Sequence, residues 1–220
     1  MPFVEHVVIA ATGMGTRLGL RKPKCLVEIC GKKLIEYQLD LLKNVPNVYM
    51  VIGFGEKDVI EQVGSIRKDI IFVRNPDFQH TKTLESYYLA AKLIKGSALF
   101  MDGDMILEPM SFSGFLQEAS SKESLVGVTK RISDDPVYAE VSSGKEGLMV
   151  RDFSYEKKSI YELANIVYAK AADMKSGTTH VFQHLQSMLP LPAAVVDRLE
   201  VDTHTDLQLA EQEIAKGIFL

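Results

Sequence analysis

The residues best suited to chemistry in this 220-residue chain lie at the ends of apolar runs. The stretch AATGMGTRLGLRKPKCLVEI, residues 10–29, sets Gly13 and Gly15 ahead of Arg17, Arg21, Lys22 and Lys24. Glycine lets backbone N–H groups approach an anion closely, and cations nearby balance its charge, so the loop suits a polyphosphate. It suits equally a surface turn whose basic residues are simply hydrated. LFMDGDMIL (99–107) puts Asp102 and Asp104 at the end of a second run. Carboxylates there can hold a divalent cation, or merely form an Asp-Gly-Asp turn. EVDTHTDLQLAEQEI (200–214) ends a third run at Asp202, with Thr203 and Asp206 spaced as a helix N-cap pair.

Spacing excludes two familiar phosphate loops. Neither Gly31-Lys32 nor Gly144-Lys145 is followed by Ser or Thr, so the P-loop is absent. The dinucleotide fingerprint fails because Gly19 falls one residue late after Gly13 and Gly15, and Pro23 would interrupt a helix begun directly after the loop.

The elements that must position these residues alternate. Strands are predicted at 6–11, 48–54, 70–75 and 97–104, with helices at 32–45, 56–67 and 83–95 between them. Such alternation predicts a doubly wound α/β fold with a mixed, mostly parallel sheet, whose ligands sit at the carboxyl ends of the strands. In the second half, strands are predicted at 124–131, 159–170 and 195–202, and a hairpin at 137–154 with SSGKEG at its tip. Helices are predicted over most of 171–189 and over 205–218. The expected organisation is a single domain over 1–220. Its character changes near residue 110, dividing 1–110 from 111–220, and a lid hairpin is expected at about 134–158.

A net charge of −4 argues against a nucleic-acid surface. No run reaches the ~18 apolar residues of a membrane span, and the start of the chain lacks a basic leader. A cytoplasmic protein with no nucleic-acid or membrane partner is expected; its oligomeric state is left open. Cys25 and Cys30 read as reduced thiols.

TGMGTRL…RKPKCLVEICGKKLIEY, within residues 12–37, resembles the signature of the nucleotidyltransferases that couple an NTP to a phosphate-bearing acceptor. Bacterial choline-phosphate cytidylyltransferases and sugar-phosphate nucleotidyltransferases are among them. The resemblance implies their Rossmann-like, GT-A-like fold, with an NTP-binding half at 1–110 and an acceptor-binding half at 111–220. It also implies nucleotide contacts at Ala11, Thr12, Gly13, Gly15 and Thr16, with Arg17 on the leaving phosphates and Lys24 near the α-phosphate. Thr12 departs from the family's usual Ala or Gly. The aspartate after the glycine is the family's metal ligand, which carries over to Asp104 and leaves Asp102 in support. The closing VDTHTDLQLA resembles the family's second acidic segment and implies a further Mg²⁺ ligand at Asp202.

NPDFQHTKTLESYYLA (75–90) resembles the cytidylyltransferase base-binding segment, which puts Thr83 and Ser86 at matching places, Thr83 replacing Asn. Unaided, Thr83 reads first as a helix cap. Residues 134–170 resemble the acceptor half, with Lys157 at the acceptor-phosphate lysine and Asn165 where the family often has Gly. An acceptor with a quaternary ammonium would favour an aromatic cage. The chain has no Trp, so Tyr138, Tyr155, Tyr161, Tyr168 and Phe153 are the substitutes.

The expected activity is an Mg²⁺-dependent cytidylyltransferase acting on CTP and a small phosphate or phosphonate acceptor of the phosphocholine or aminoethylphosphonate type. The alternatives are a sugar-1-phosphate nucleotidyltransferase, a D-x-D glycosyltransferase and a non-catalytic nucleotide-binding protein.

Overall fold

The computed structural model describes residues 4–219 except Ile132 and Glu146, so Glu146 of the expected hairpin tip lies outside the described residues. The first half runs β1 (His6–Ala11), β2 (Glu28–Ile29), β3 (Lys32–Lys33), α1 (Leu34–Leu41), β4 (Asn47–Ile52), α2 (Glu56–Ile66), β5 (Ile70–Arg74), α3 (Thr83–Ala91), β6 (Ser97–Asp102) and β7 (Met105–Leu107). The second half runs α4 (Pro109–Ala119), β8 (Leu125–Thr129), β9 (Tyr138–Gly144), β10 (Gly147–Ser154), β11 (Glu162–Lys170), α5 (Val181–Gln186), β12 (Leu191–Val195), β13 (Arg198–Glu200) and α6 (His204–Ala215).

A nine-stranded mixed sheet, in the order β5-β4-β1-β6-β11-β8-β12-β10-β9, carries the fold. Its first four strands are parallel. The inner three, β4, β1 and β6, are buried on both faces because their side chains alternate between two cores, while β5 is the partly exposed edge. Val7, Ile9 and Ala11 enter one, which contains Ile35 and Leu39 of α1. Val8 enters the other, which contains Leu84 and Tyr87 of α3. This is why those strands read as unbroken apolar runs.

A short second sheet matters more for the site. Strand β13 pairs antiparallel with β7, setting Glu200 opposite Met105 and Arg198 opposite Leu107. The backbone N–H of Val201 then donates to the Asp104 carbonyl at 3.0 Å. That pairing closes the distance between two acidic segments far apart in sequence. It is clamped from below by a third core, where Leu18, Ile29 and Leu34 meet Leu199, Val201 and Ile214.

Several boundaries differ from those expected. Lys32 and Lys33 pair with Glu28 and Ile29 around Cys30 and Gly31, both at positive φ, so α1 begins only at Leu34. The helix expected over 171–189 is reduced to α5 and a single turn at Ala171–Asp173. Between them Ser176 and Gly177 donate to the Glu85 carboxylate at 2.8 and 3.0 Å, and Ser-Gly-Thr-Thr favours such caps over helix. The strand expected at 195–202 is divided between β12, in the large sheet, and β13, in the small one. Helix α4 went unforeseen, although Pro109 at its first position and Glu108 before it mark its start. The Glu108 carboxylate accepts from the N–H groups of Met110 and Ser111 at 2.9 and 2.6 Å. The hairpin expected as a lid is hydrogen-bonded into the edge of the large sheet, β10 against β12.

Candidate active site

The glycine loop leaves β1 at the carboxyl edge of the sheet. Gly15 and Gly19 take left-handed φ values of 61° and 63° on either side of a single turn, Thr16–Leu18. Leu18, fully buried, pins that turn to the third core. The N–H of Lys24 donates to the Gly13 carbonyl at 3.1 Å, folding the loop back on itself. Buried Cys25 and Leu26 anchor the next turn. Lys24 therefore has no freedom to lie on the surface, and its side chain is only 9% exposed.

The Asp-Gly-Asp turn is held from both sides. Gln38 of α1 donates from its side-chain nitrogen to the carbonyls of Asp102 and Met105 at 2.9 and 2.8 Å. Gly103 donates to the Ala10 carbonyl at 2.9 Å. A Cβ at Gly103 would stand 2.8 Å from that same oxygen. Gly103→Ala is therefore expected to destabilise the protein by about 1–3 kcal/mol, the usual cost of overpacking. Urea denaturation checks this, and an unchanged midpoint would refute it.

These two supports and the β7–β13 pairing bring the opposite charges together. Lys24 Nζ lies 2.7 Å from Asp104 Oδ2 and also hydrogen-bonds Asp202 Oδ1. Arg17 Nη2 donates to Asp202 Oδ2 at 2.6 Å. The carboxylates of Asp104, Glu200 and Asp202 present oxygens within 4.8 Å of one another. Asp104 Oδ1 is buried without a hydrogen-bond partner. A cluster of hard oxygen donors with one oxygen unpaired fits a divalent cation.

The two aspartates of the turn titrate in opposite directions. Burial, and then the charge of Asp104, pushes Asp102 up to about 8; its Oδ1 accepts from the Tyr87 hydroxyl at 2.6 Å. Burial also acts to raise Asp104, but the charge and hydrogen bond of Lys24 outweigh it, with help from Arg198, and hold it below the ordinary 3.8. Asp104 is thus the ionised member, suited to a cation. Burial lifts the Cys25 thiol to about 12, which leaves it inert.

The glycine loop, its two cations and the acids face one cleft of about 790 Å³. Of the residues singled out in the sequence, Thr12, Gly13, Gly15, Thr16, Arg17, Lys24, Thr83, Asp102, Asp104 and Asp202 line it. Thr83 opens α3 with no cap bond, and Lys82 occupies the cap position.

Three residues are placed elsewhere. Ala11 is buried at the end of β1, behind Gly103. Ser86 is 1% exposed, and its hydroxyl accepts from Asn75 Nδ2 at 3.2 Å, so it shapes the 75–86 loop from behind. Lys157 is 67% exposed and ion-paired with Glu140 and Asp152 at 3.1 and 3.3 Å, on the hairpin and away from the cleft lining. Of the expected aromatic cage only Tyr155 reaches the cleft. Its partner is Phe182, edge-on at 5.0 Å between ring centroids. Phe153 is 2% exposed in the core, and Tyr161 and Tyr168 pack against core clusters.

The cleft also holds residues the sequence reading missed: Glu200, Arg131, Arg198, Phe78, His180 and Phe182. Glu200 had a usable signal, since it stands two residues before Asp202 and alternate strand residues share a face. Asn165 lines the cleft at a φ of 55°, where the register of β11 against β8 shifts. The left-handed backbone there is one that glycine adopts freely and asparagine tolerates.

An open α/β sheet with a phosphate-type loop and an acidic cluster at its carboxyl edge is the framework of a nucleotide-handling domain. Residues 7–157 match the family described as the MobA-like NTP transferase domain, and the chain belongs to that family of nucleotidyltransferases. Among its relatives is the bifunctional protein GlmU of Thermoanaerobacter pseudethanolicus, 27% identical over 173 residues, 73% of this chain and 36% of that protein. GlmU of Methanococcus vannielii is 26% identical over 191 residues, 83% of this chain and 43% of that one. The chain thus spans less than half the length of these curated relatives. Among solved structures, the inositol-1-phosphate CTP transferase of T. maritima superposes with a TM-score of 0.79 at 16% identity, covering 98% of both chains. The CTP:phosphocholine cytidylyltransferase of Streptococcus pneumoniae gives 0.75 at 17% identity, covering 96% of this chain and 100% of that one. At such identities the likeness is one of fold. Among the described residues, no helix is long and apolar enough to cross a membrane.

Proposed function

We propose that the cleft joins CTP to a small phosphate or phosphonate acceptor carrying an amine, of the phosphocholine or aminoethylphosphonate type, and releases pyrophosphate. The observation that carries this reading is the meeting of Arg17 and Lys24 with Asp104 and Asp202 in one cleft, beside a glycine loop.

An acceptor oxygen attacks the α-phosphorus and forms the new P–O bond. The bond from that phosphorus to the bridging oxygen breaks, and its electron pair leaves on pyrophosphate. An acceptor already ionised at neutral pH needs no general base, so positioning and charge balance are the main work of the site. Lys24, nearly buried, offsets charge at the α-phosphate; Arg17, more exposed, takes the outgoing phosphates. Asp104, Glu200 and Asp202 would hold Mg²⁺, which when bound neutralises phosphate charge and orients the leaving group. The loop held by Asn75 and the start of α3 at Thr83 form the nucleobase wall. Asp134 and Asp135, with Tyr155 and Phe182, form a wall whose acids and ring faces suit an ammonium group. Lys157, ion-paired with Glu140 and Asp152, stands outside the cleft lining; Arg131, itself paired with Glu213 and Asp197, lines the cleft and is the better-placed cation for the acceptor phosphate.

A sugar 1-phosphate acceptor is the second reading, favoured by the likeness to a putative glucose-1-phosphate thymidylyltransferase of Bacillus anthracis, with a TM-score of 0.78 at 16% identity. Pyrophosphate release, screened with each of the common NTPs against phosphocholine, 2-aminoethylphosphonate, inositol 1-phosphate and sugar 1-phosphates, separates them. CTP with an amine-bearing acceptor is the expected pair. Turnover confined to another NTP with sugar 1-phosphates would replace the first reading by the second. Tight NTP binding with no turnover on any acceptor would remove the enzyme reading and leave a sensor.

A further inference from the structure

Arg198 opens β13 with its side chain only 4% exposed, yet it stands among carboxylates. Nη2 donates to Glu162 Oε1 at 2.5 Å and to the Leu163 carbonyl at 3.2 Å, while Nη1 donates to Glu200 Oε2 at 2.7 Å. Glu162, 1% exposed, turns its other oxygen to Ser133, accepting from the backbone N–H at 2.8 Å and from the hydroxyl at 3.1 Å.

Stability does not explain such a network. Taking charges out of water carries a large desolvation penalty, and apolar residues of similar volume are often as stabilising or more so. What a guanidinium supplies that an apolar side chain cannot is direction: its rigid planar fork fixes the carboxylates it binds. One of the two fixed here is Glu200, which stands with Asp104 and Asp202 in the acidic cluster.

We propose that Arg198 is a positioning residue for the cation site: anchored on Glu162, its fork aims Glu200 so that the carboxylate completes the set with Asp104 and Asp202. This rests on the reading of those three acids as cation ligands. Geometry and charge make opposite predictions. If Arg198 served only to offset negative charge, losing it would tighten cation binding, because a like charge near the cation is gone. If it positions Glu200, losing the fork weakens binding, since partners that orient ligands are commonly worth about 10–100-fold in metal affinity.

The test is Mn²⁺ binding to the full chain, followed by loss of the free-ion EPR signal, alone and with inorganic pyrophosphate. Arg198→Lys keeps the charge and loses the fork; it is expected to weaken Mn²⁺ binding by about tenfold or more. Glu162→Gln keeps a carbonyl oxygen for Nη2 but loses the acceptor facing Ser133. It disturbs the same buried network, so both variants are expected to melt lower. Only Arg198→Lys is expected to change Mn²⁺ affinity by more than about twofold. Affinity in Arg198→Lys within about twofold of wild type, or equal weakening in both variants, overturns the proposal and leaves the cation reading standing. A wild-type chain with no saturable Mn²⁺ site overturns the cation reading and this proposal together. Should Arg198→Lys fail to fold, Arg198→Gln replaces it: weaker binding supports positioning, and tighter binding overturns it.

Discussion

Lys24→Met is expected to slow turnover by about 10²–10³-fold, roughly 2.7–4 kcal/mol of barrier, the scale for one preorganised electrostatic group. It is also expected to tighten Mn²⁺ binding to the nucleotide-free protein. Lys24 bonds both Asp104 and Asp202, so it competes with any cation for the same oxygens. On the proposed assignment, removing it frees both carboxylates for the ion and takes away the buried charge meant for the α-phosphate. Methionine retains much of the apolar stem, which packs in a residue only 8% exposed. Arg17→Ala should cost less, because its side chain is 62% exposed and water screens it. Steady-state pyrophosphate release and Mn²⁺ titration of the same samples check both halves. Turnover near wild type would end the assignment of Lys24; loss of turnover together with loss of Mn²⁺ binding would point to a damaged site instead.

The parallel half of the sheet was legible because strands buried on both faces must be continuously apolar, as HVVIAA and SALFMD are. The meeting of the loop with the two aspartates was legible because all three stand at the ends of apolar runs, which an open α/β sheet brings to one edge. What the sequence left open was which way each side chain turns. Thr83 and Ser86 lie three apart on one helix and so share a face. Only the packing of α3 decides that Ser86 is sealed behind Asn75 while Thr83 meets the cleft. Lys157 is neutralised by Glu140 on β9 and Asp152 on β10, strand neighbours whose nearness depends on register. Register is not written in the charges. Glu162 stood inside an apolar stretch where an unpaired charge would be costly, so it implied a partner without saying which one; Arg198, between Asp197 and Glu200, gave no such signal.

The interdependence of the acids gives the second large effect. Asp104→Asn and Asp202→Asn are each expected to lower turnover by about 10²–10³-fold, and the double variant little further, because groups that act as a unit are not additive. The two aspartates reach the cleft from paired neighbouring strands, one at the turn before β7 and the other just past β13. A cation held between them loses its site when either goes. The variants should differ in the free protein. Asp202→Asn removes the sole ion pair of Arg17 among the described residues and one of the two of Lys24, whereas Asp104→Asn leaves Arg17 and Lys24 both paired with Asp202. Asp202→Asn should therefore loosen the glycine loop more, which hydrogen exchange at the loop amides would register as faster exchange. Single-variant losses that multiply in the double variant would mean that the acids work independently, and a cation shared between them would then be the wrong description of this cleft.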